Sequence, residues 1–549
     1  MNTIIKKRYL LLLSLLSGLL LSFGWPARGF PILLFFGFIP LLFIEDYIYQ
    51  NKKLFSRLSF FCYTYISMLL WNILTTYWIY YSTTVGAILA ITLNALFMSL
   101  ALSLFHYSRT VLRHNYAYVT YILFWITYEY MHLNWDLSWS WMNLGNGFAN
   151  HPAWIQWYEY TGCFGGTLWI LLLNYMIFRA IKMFFVFEKT SKNRFIFSLF
   201  CFGFILIPII ISLFIYYNYH EKGETTANVI IVQPNIDPYN EKFGGLTPEQ
   251  QSAKLLKLAK LKTTQETDLL VGPETAISEV CEDQLDKSNS IDSLKCFVKK
   301  YPHLNILLGL SSYKIFRTGE IISPTARPYT ENEWCDEYDS AILLNSSDNK
   351  QLYHKSKLVP GVEKMPWSEH LKFLEKYAID LGGTVGSLGI QKERSVFYSQ
   401  DKKIKAAPVV CYESIYGEYV TGYVKNGANV ICVITNDGWW RNTAGYKQHF
   451  CYASLRAIET RRSIVQSANT GISGFINQRG DVQQKTGWWE GDVLQQNVTL
   501  NEEKTFYVKH GDYIARFSEY LSIMALLFSF CLTLIRKLKK IIPKQNSLL

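Results

Sequence analysis

Long apolar runs separated by short basic stretches occupy both ends of this chain, and a polar stretch without such runs lies between them. Runs that span about 30 Å of hydrocarbon, or nearly so, recur near 9–23, 29–44, 58–80, 84–106, 115–131, 163–178 and 195–218, with one more near 517–535. The pattern predicts a bundle of about seven transmembrane helices over 1–218, an eighth over 517–537 and a basic tail over 538–549. The first run follows Lys6, Lys7 and Arg8 as a secretory signal would. No small-residue cleavage site follows it, and Pro26-Ala27-Arg28-Gly29 leads into more apolar sequence, so it reads as a retained helix.

From about residue 227 the period changes. Short β-branched runs at Asn228–Val232, Leu269–Val271, Asn305–Leu310, Ser340–Asn345, Val409–Val410, Val430–Ile434 and Ser463–Ala468 alternate with helical stretches such as Ala253–Thr264 and Gln448–Thr460. Alternation of this kind predicts a layered α/β domain over 219–516. Composition agrees with a membrane protein: 50% hydrophobic, 16% aromatic and only 18% charged.

Charge distribution then orients the chain. Residues 219–515 hold 34 Lys+Arg against 36 Asp+Glu, and the rest hold 20 against 7. Of those 20 basic residues only Arg28 and Arg516 fall on one side of the topology, so the positive-inside rule places both termini in the cytoplasm and the α/β domain outside. The formal net charge of +11 thus reflects topology and implies no nucleic-acid partner. Acidic residues within the apolar runs are nearly absent, Glu129 and Glu519 being the main ones, which disfavours ion-coupled transport.

Ten cysteines show neither a C-x-x-C pair nor zinc spacing. Cys62, Cys201 and Cys531 fall in apolar runs, while Cys281, Cys296 and Cys335 lie where a disulfide is chemically permitted. Cys411 ends the run Ala406-Ala407-Pro408-Val409-Val410 and opens a turn, with Glu274 upstream in Gly272-Pro273-Glu274 and Lys355 in Tyr353-His354-Lys355. A thiol, a carboxylate that accepts its proton and an ammonium that stabilises an oxyanion form an acyl-transfer set. A Cys–His dyad through His354 or His449 is the weaker reading, since neither has a recognisable Asn or Asp orienter.

Pro273-Glu274, Tyr353-His354-Lys355, Val410-Cys411-Tyr412-Glu413 and Thr435-Asn436-Asp437-Gly438-Trp439 together resemble the nitrilase (carbon–nitrogen hydrolase) superfamily over most of 227–500. Within its membrane frame the whole chain resembles that superfamily's apolipoprotein N-acyltransferases. The resemblance implies an αββα sandwich, Glu274 as general base, Lys355 as oxyanion stabiliser and Cys411 as nucleophile. It also implies Glu363 as an additional carboxylate near Lys355, although Gly361-Val362 stands where the family has Phe-Gly.

Tyr412 offers its backbone N–H to the oxyanion, Glu413 holds the nucleophile turn or forms a structural salt bridge, and Asn436 supports the site. Phe243, Trp367, Trp439 and Trp440 are candidates for a lipid gate, and Trp135, Trp139 and Trp141 form an outer loop that docks the domain or anchors at the headgroups. The implied partners are a phospholipid acyl donor, a diacylglyceryl apolipoprotein acceptor and the bacterial inner-membrane bilayer, with the catalytic domain in the periplasm. No metal or dissociable cofactor is implied. A membrane-tethered amidohydrolase acting on a small periplasmic amide, and a receptor that binds without chemistry, remain open.

Overall fold

The computed structural model describes residues 6–185, 191–242, 244–317, 319–347, 350–365 and 387–541. Every apolar run is helical: Lys7–Phe23, Pro31–Phe35 continuing into Ile39–Gln50, Ser59–Thr76, Thr84–Leu112, Val119–Leu133, Tyr158–Phe185, Ser191–Asn218 and Tyr513–Ile541. Among the described residues, five stretches are long and apolar enough to cross a membrane: Pro31–Gln50, Thr84–Leu112, Tyr158–Phe184, Lys192–Asn218 and Tyr513–Leu538. The other three fall short on those measures. Lys7–Phe23 and Val119–Leu133 have 17 and 15 residues, about 25 Å or less at 1.5 Å per residue, and Ser59–Thr76 is diluted by Thr, Tyr and Asn.

The helix Ile39–Gln50 runs past the end at 44 expected from sequence and carries Glu45 and Asp46, both buried, into the bundle. Arg109 pairs with both carboxylates, at 2.7 Å for Asp46. Lys182 also lies 2.7 Å from Asp46, and His106 Nδ1 lies 2.8 Å from Glu45. The bundle therefore buries more acid than the sequence pattern indicated, and it does so with partners, as a charge removed from water requires.

Two sheets form the α/β domain. The first has the order Asp492–Leu500, Thr225–Gln233, Leu269–Val271, Asn305–Phe316, Trp334–Leu344, Arg327–Pro328, with Ile277–Cys281 and Gln351–His354 paired to its third-last and second-last members. The second runs Val482–Lys485, Gly474–Ile476, Ile464–Ala468, Val430–Thr435, Lys405–Val410, Phe397–Tyr398. Alternation within the first sheet splits its side chains between two cores. Val229, Ile231, Leu269, Val271 and Leu307 join Val409, Ile431 and Val433 between the sheets. Ile230, Val232, Leu270, Ile306 and Leu308 instead pack under the helices Pro248–Ala259 and Asn289–Val298. With Gly417–Lys425 and Ala444–Thr460 over the second sheet, the domain is a four-layer αββα sandwich.

The helix Ala444–Thr460 is shared between domain and bundle. Gln448, Tyr452, Arg456 and Glu459 recur on one of its faces at helical spacing and meet the membrane helices and the loop at 134–148. Trp141 Nε1 donates to Gln448 Oε1 at 2.7 Å and Trp78 Nε1 donates to the same oxygen at 3.2 Å. Trp25 Nε1 donates to Tyr452 Oη at 3.1 Å, and Cys163 Sγ lies 3.2 Å from Arg456 Nη2. Trp141 thus docks the domain, one of the two uses expected for its loop. All ten cysteines are unbridged, including Cys281, Cys296 and Cys335.

Candidate active site

The strand Lys405–Val410 runs parallel to Val430–Thr435 and stops at a sharp turn. Cys411 there has φ 45°, the left-handed region that costs a β-carbon residue strain. Buried groups hold it. Glu413 Oε2 accepts from Val410 N at 3.0 Å, while Arg456 Nη1 donates to the carbonyls of Ile415 at 2.7 Å and Ser414 at 3.3 Å. Glu413 Oε1 also accepts from Tyr353 Oη at 2.6 Å, Ser356 N at 2.7 Å and Tyr419 Oη at 2.9 Å. This carboxylate therefore ties the nucleophile turn to the Lys355 segment by hydrogen bonds. Of the two uses expected for it, the structure places it in the first and gives it no ion pair among the described residues.

Lys355 follows the strand Gln351–His354, whose register sets His354 opposite Ser340 and whose continuation bonds Lys355 N to Asp339 O at 2.8 Å. The Lys355 side chain is fully buried. Its Nζ donates to Glu363 Oε1 at 2.7 Å, Glu274 Oε1 at 2.9 Å and Asp339 Oδ2 at 2.9 Å. Glu363 Oε2 accepts from Val359 N at 2.8 Å, so its loop closes on its own carboxylate despite Gly361-Val362. Glu274 comes from the turn after Leu269–Val271, which packs directly on Gly309. A β-carbon at Gly309 would lie 2.5 Å from Thr275 N and 2.6 Å from Glu274 Cα, so this strand position must lack a side chain.

Oxygens of Glu274, Asp339 and Glu363 lie within 4.8 Å of one another, close enough to hold a cation, and the Lys355 ammonium occupies that centre. Burial and the neighbouring carboxylates Glu274 and Glu363 push Asp339 well above the ordinary carboxylate range, against the pull of Lys355, and it hydrogen-bonds Glu274. Burial would raise Glu274 too, but the Lys355 charge, the hydrogen bond with Asp339 and the charge of Lys242 hold it below its usual value. Burial and the Glu274 charge raise the Cys411 thiol well above normal, with Lys355 pulling the other way. The three carboxylates hold Lys355 protonated against its burial. The resting site is therefore a neutral thiol facing an ionised Glu274 and a fixed ammonium, which suits proton abstraction in step with attack.

His449 is better oriented than its sequence context suggests, because Asp437 Oδ1 lies 2.9 Å from its Nδ1. Its Nε2 meets Ser414 Oγ at 2.9 Å and the Cys411 carbonyl at 3.3 Å. The imidazole thus serves the turn's backbone. His354 stacks on Tyr338 at 4.0 Å and pairs with Glu282, so neither histidine builds a dyad with the thiol. Tyr412 is buried, its hydroxyl donating to Ser138 O at 2.9 Å. Asn436 Oδ1 accepts from Asn469 and Thr470 and braces the adjoining turn.

Trp440 is packed between Trp78 at 4.6 Å and Trp141 at 5.5 Å, while Trp439 lies edge-on to Tyr239 at 5.5 Å. Phe243 and Trp367 lie outside the described residues. Sequence reasoning missed Asp339, whose signal is an acidic residue immediately before the core run Ser340–Asn345. It also missed Lys242, a buried lysine next to Phe243. The Lys242 Nζ donates to the Glu274 carbonyl at 3.3 Å and to Thr275 Oγ1, and burial lowers it to about 8.

Two family profiles match the chain: "Carbon-nitrogen hydrolase" over residues 229–506 and "Apolipoprotein N-acyltransferase N-terminal domain" over 17–176. A protein of Chlorobaculum tepidum described as an apolipoprotein N-acyltransferase is 29% identical over 515 residues, covering 91% of this chain and 93% of its own length. One of Geobacter metallireducens with the same description is 27% identical, with 92% of each chain covered. Another, of Thermotoga maritima, is 24% identical, covering 94% of this chain and 93% of its own.

Proposed function

Because this chain belongs to the carbon–nitrogen hydrolase family and matches apolipoprotein N-acyltransferases along nine-tenths of its length, we propose that it completes lipoproteins by N-acylation through a Cys411 acyl-enzyme. The observation that carries the residue assignment is the buried Lys355 ammonium, gripped by three carboxylates beside a protonated thiol.

Glu274 takes the Cys411 proton as sulfur attacks the ester carbonyl of a phospholipid. Lys355 and the Tyr412 backbone N–H stabilise the oxyanion. The C–O bond breaks, the proton passes from Glu274 to the departing lysophospholipid oxygen, and the acyl chain remains as a thioester. In the second half, the α-amine of an S-diacylglyceryl-cysteine N-terminus attacks the thioester. Glu274 receives the amine proton and returns it to the leaving sulfur, giving the amide and the free thiol. Glu363 and Asp339 keep Lys355 charged and in place.

We place this domain, residues 219–516, on the periplasmic side of the inner membrane. Eight helices span the bilayer, both termini and the basic tail 538–549 are cytoplasmic, and Trp439 lines the entry for acyl chains. The short helices support this count because they are packed in the same bundle as the five long ones. The membrane portion favours acyl transfer over hydrolysis of a small amide, since a two-tailed lipid needs the bundle beneath the site and a soluble amide does not.

Intact-mass measurement after incubation with phospholipid alone tests the reading. One acyl mass is expected on wild type, released by hydroxylamine and absent from Cys411→Ala. A diacylglyceryl-cysteine peptide is expected to discharge it as an amide. Discharge only to free fatty acid would establish the hydrolase instead, and an adduct on Cys432 or Cys451 would remove Cys411 from its role.

A further inference from the structure

A cavity of about 470 Å³ lies between the loop that follows the helix Val119–Leu133 and the segments on either side of the Glu363 loop. Its lining is cationic. Lys357, Lys364, Lys392 and Arg394 face it, and Asp136 is the only carboxylate among its lining residues. Asp136 is paired with Lys364 at 2.7 Å. Lys357 donates from Nζ to the Leu133 carbonyl at 3.1 Å and lies 4.8 Å above the Tyr416 ring. Arg394 stacks 4.1 Å over Tyr419 and donates to the Lys392 carbonyl at 2.7 Å. Among the described residues Lys357, Lys392 and Arg394 have no ion pair.

Three like charges around one partly desolvated cavity repel one another more than they would in water. Burial, then Arg394 and Lys364, lower Lys357 to about 8, so these cations act on a shared space. An anion would relieve that repulsion. Guanidinium and ammonium groups converging on one space suit phosphate oxygens, with planar donors from Arg and a point charge from Lys.

Position narrows the source. The cavity is framed by the end of Val119–Leu133 and by Trp135, an exposed indole of the kind found at headgroup level. It is also next to the chemistry: Ser356 alone separates Lys357 from Lys355, and Ser356 N and Tyr419 Oη both donate to the Glu413 carboxylate that braces the nucleophile turn. The acceptor is unsuited, since an α-amine is cationic when protonated and a diacylglyceryl thioether carries no phosphate.

We propose that this basic cavity seats the phosphodiester of the acyl donor's headgroup, fixing the lipid so that its ester reaches Cys411. The assignment rests on the acyl-transfer reading above.

The test uses full-length protein in detergent and follows single-turnover acylation of Cys411 by intact mass, with phosphatidylethanolamine or diacylglycerol of the same chains as donor. The double variant Lys392→Gln, Arg394→Gln is expected to raise the half-saturating phospholipid concentration about tenfold or more, the scale of losing charge-assisted hydrogen bonds. Lys392→Arg with Arg394→Lys is expected to keep most of the affinity. Wild type should saturate with phospholipid at a lower concentration than with diacylglycerol, and the Gln pair should narrow that gap.

Glycerophosphoethanolamine, the headgroup without chains, should compete with the donor on wild type, and inorganic phosphate at equal concentration should not. Equal competition by inorganic phosphate would make this a free-anion site and overturn the headgroup assignment. So would unchanged half-saturation in the Gln pair. If that pair fails to fold, the two wild-type comparisons decide alone: equal saturation by diacylglycerol, or no competition by the headgroup, rejects the cavity. Absence of any acyl adduct on wild type would instead reject acyl transfer itself.

Discussion

A lysine gripped by three carboxylates would be over-neutralised if all three were ionised, and the upward shifts of Asp339 and Glu363 both run in the direction that relieves this. Asp339→Asn keeps a neutral hydrogen-bonding group beside Glu274 and Lys355, so acylation should fall by less than about tenfold, whereas Asp339→Ala removes both partnerships and should cost more. A large loss in the Asn variant would show that Asp339 works as an anion. Glu274→Gln removes the proposed base and should slow acylation by about 10²–10⁴-fold. The pH dependence follows from the same charges. Glu274 must be ionised and sits below its ordinary 4.5, so activity is present above that value and is lost only as pH falls through the depressed one. The raised thiol predicts slow alkylation of Cys411 by iodoacetamide at neutral pH, and rapid labelling there would contradict a protonated resting state.

At the scale of elements, the site depends on how closely strands approach one another. Gly309→Ala places a methyl against the Thr275 amide and the Glu274 backbone, so it should destabilise the domain by about 1–3 kcal/mol and displace the base. Folded protein with reduced acylation is the expected result, read by thermal unfolding together with adduct formation. All seven strands read from sequence are present, because β-branched runs buried on both faces declare themselves without context. Gln351–His354 and Asp492–Leu500 were not legible, since their polar residues are explained only by their neighbours' registers. The helix read as Ala253–Thr264 begins earlier, at Pro248, because Thr247 and Gln250 form a capping box that periodicity alone does not weigh. Cys411, Lys355 and Glu274 were legible as motifs. Asp339 was not, because its partner lies across a strand pair and leaves only one acidic residue before an apolar run.

For the whole molecule, orientation and docking are the quantities to measure. In a background lacking reactive native thiols, Gln265→Cys, on the catalytic domain, should react with an impermeant thiol reagent in intact spheroplasts. Lys53→Cys, between membrane helices, should react only after lysis. The reverse pattern would invert the topology. Gln448→Leu leaves the Trp141 indole N–H without its acceptor, at a cost of about 1–3 kcal/mol, while the Trp78 indole keeps the Thr75 carbonyl at 3.1 Å, and the variant should unfold at a lower temperature. The apolar runs made the bundle legible at this scale, but the buried Glu45–Asp46–Arg109–Lys182 cluster was not. Its acids stand just beyond one run and its bases just beyond two others, so only the packing brings them together.

The helix Ala444–Thr460 leaves little for water: every residue from Tyr452 to Thr460 is buried, and Gln448, Arg456 and Glu459 pack against the bundle or the turn at Cys411. During synthesis the α/β domain emerges after seven of the eight helices and before the last. Until those earlier helices have inserted and gathered, Arg456 lacks its bundle neighbour Cys163, and the turn that strains Cys411 lacks a settled anchor. The turn that carries the proposed nucleophile is thereby tied to assembly of the helix bundle. On the proposed mechanism, a chain whose bundle has not gathered would hold Cys411 without that anchor, and acyl uptake would begin only once the bundle is in place.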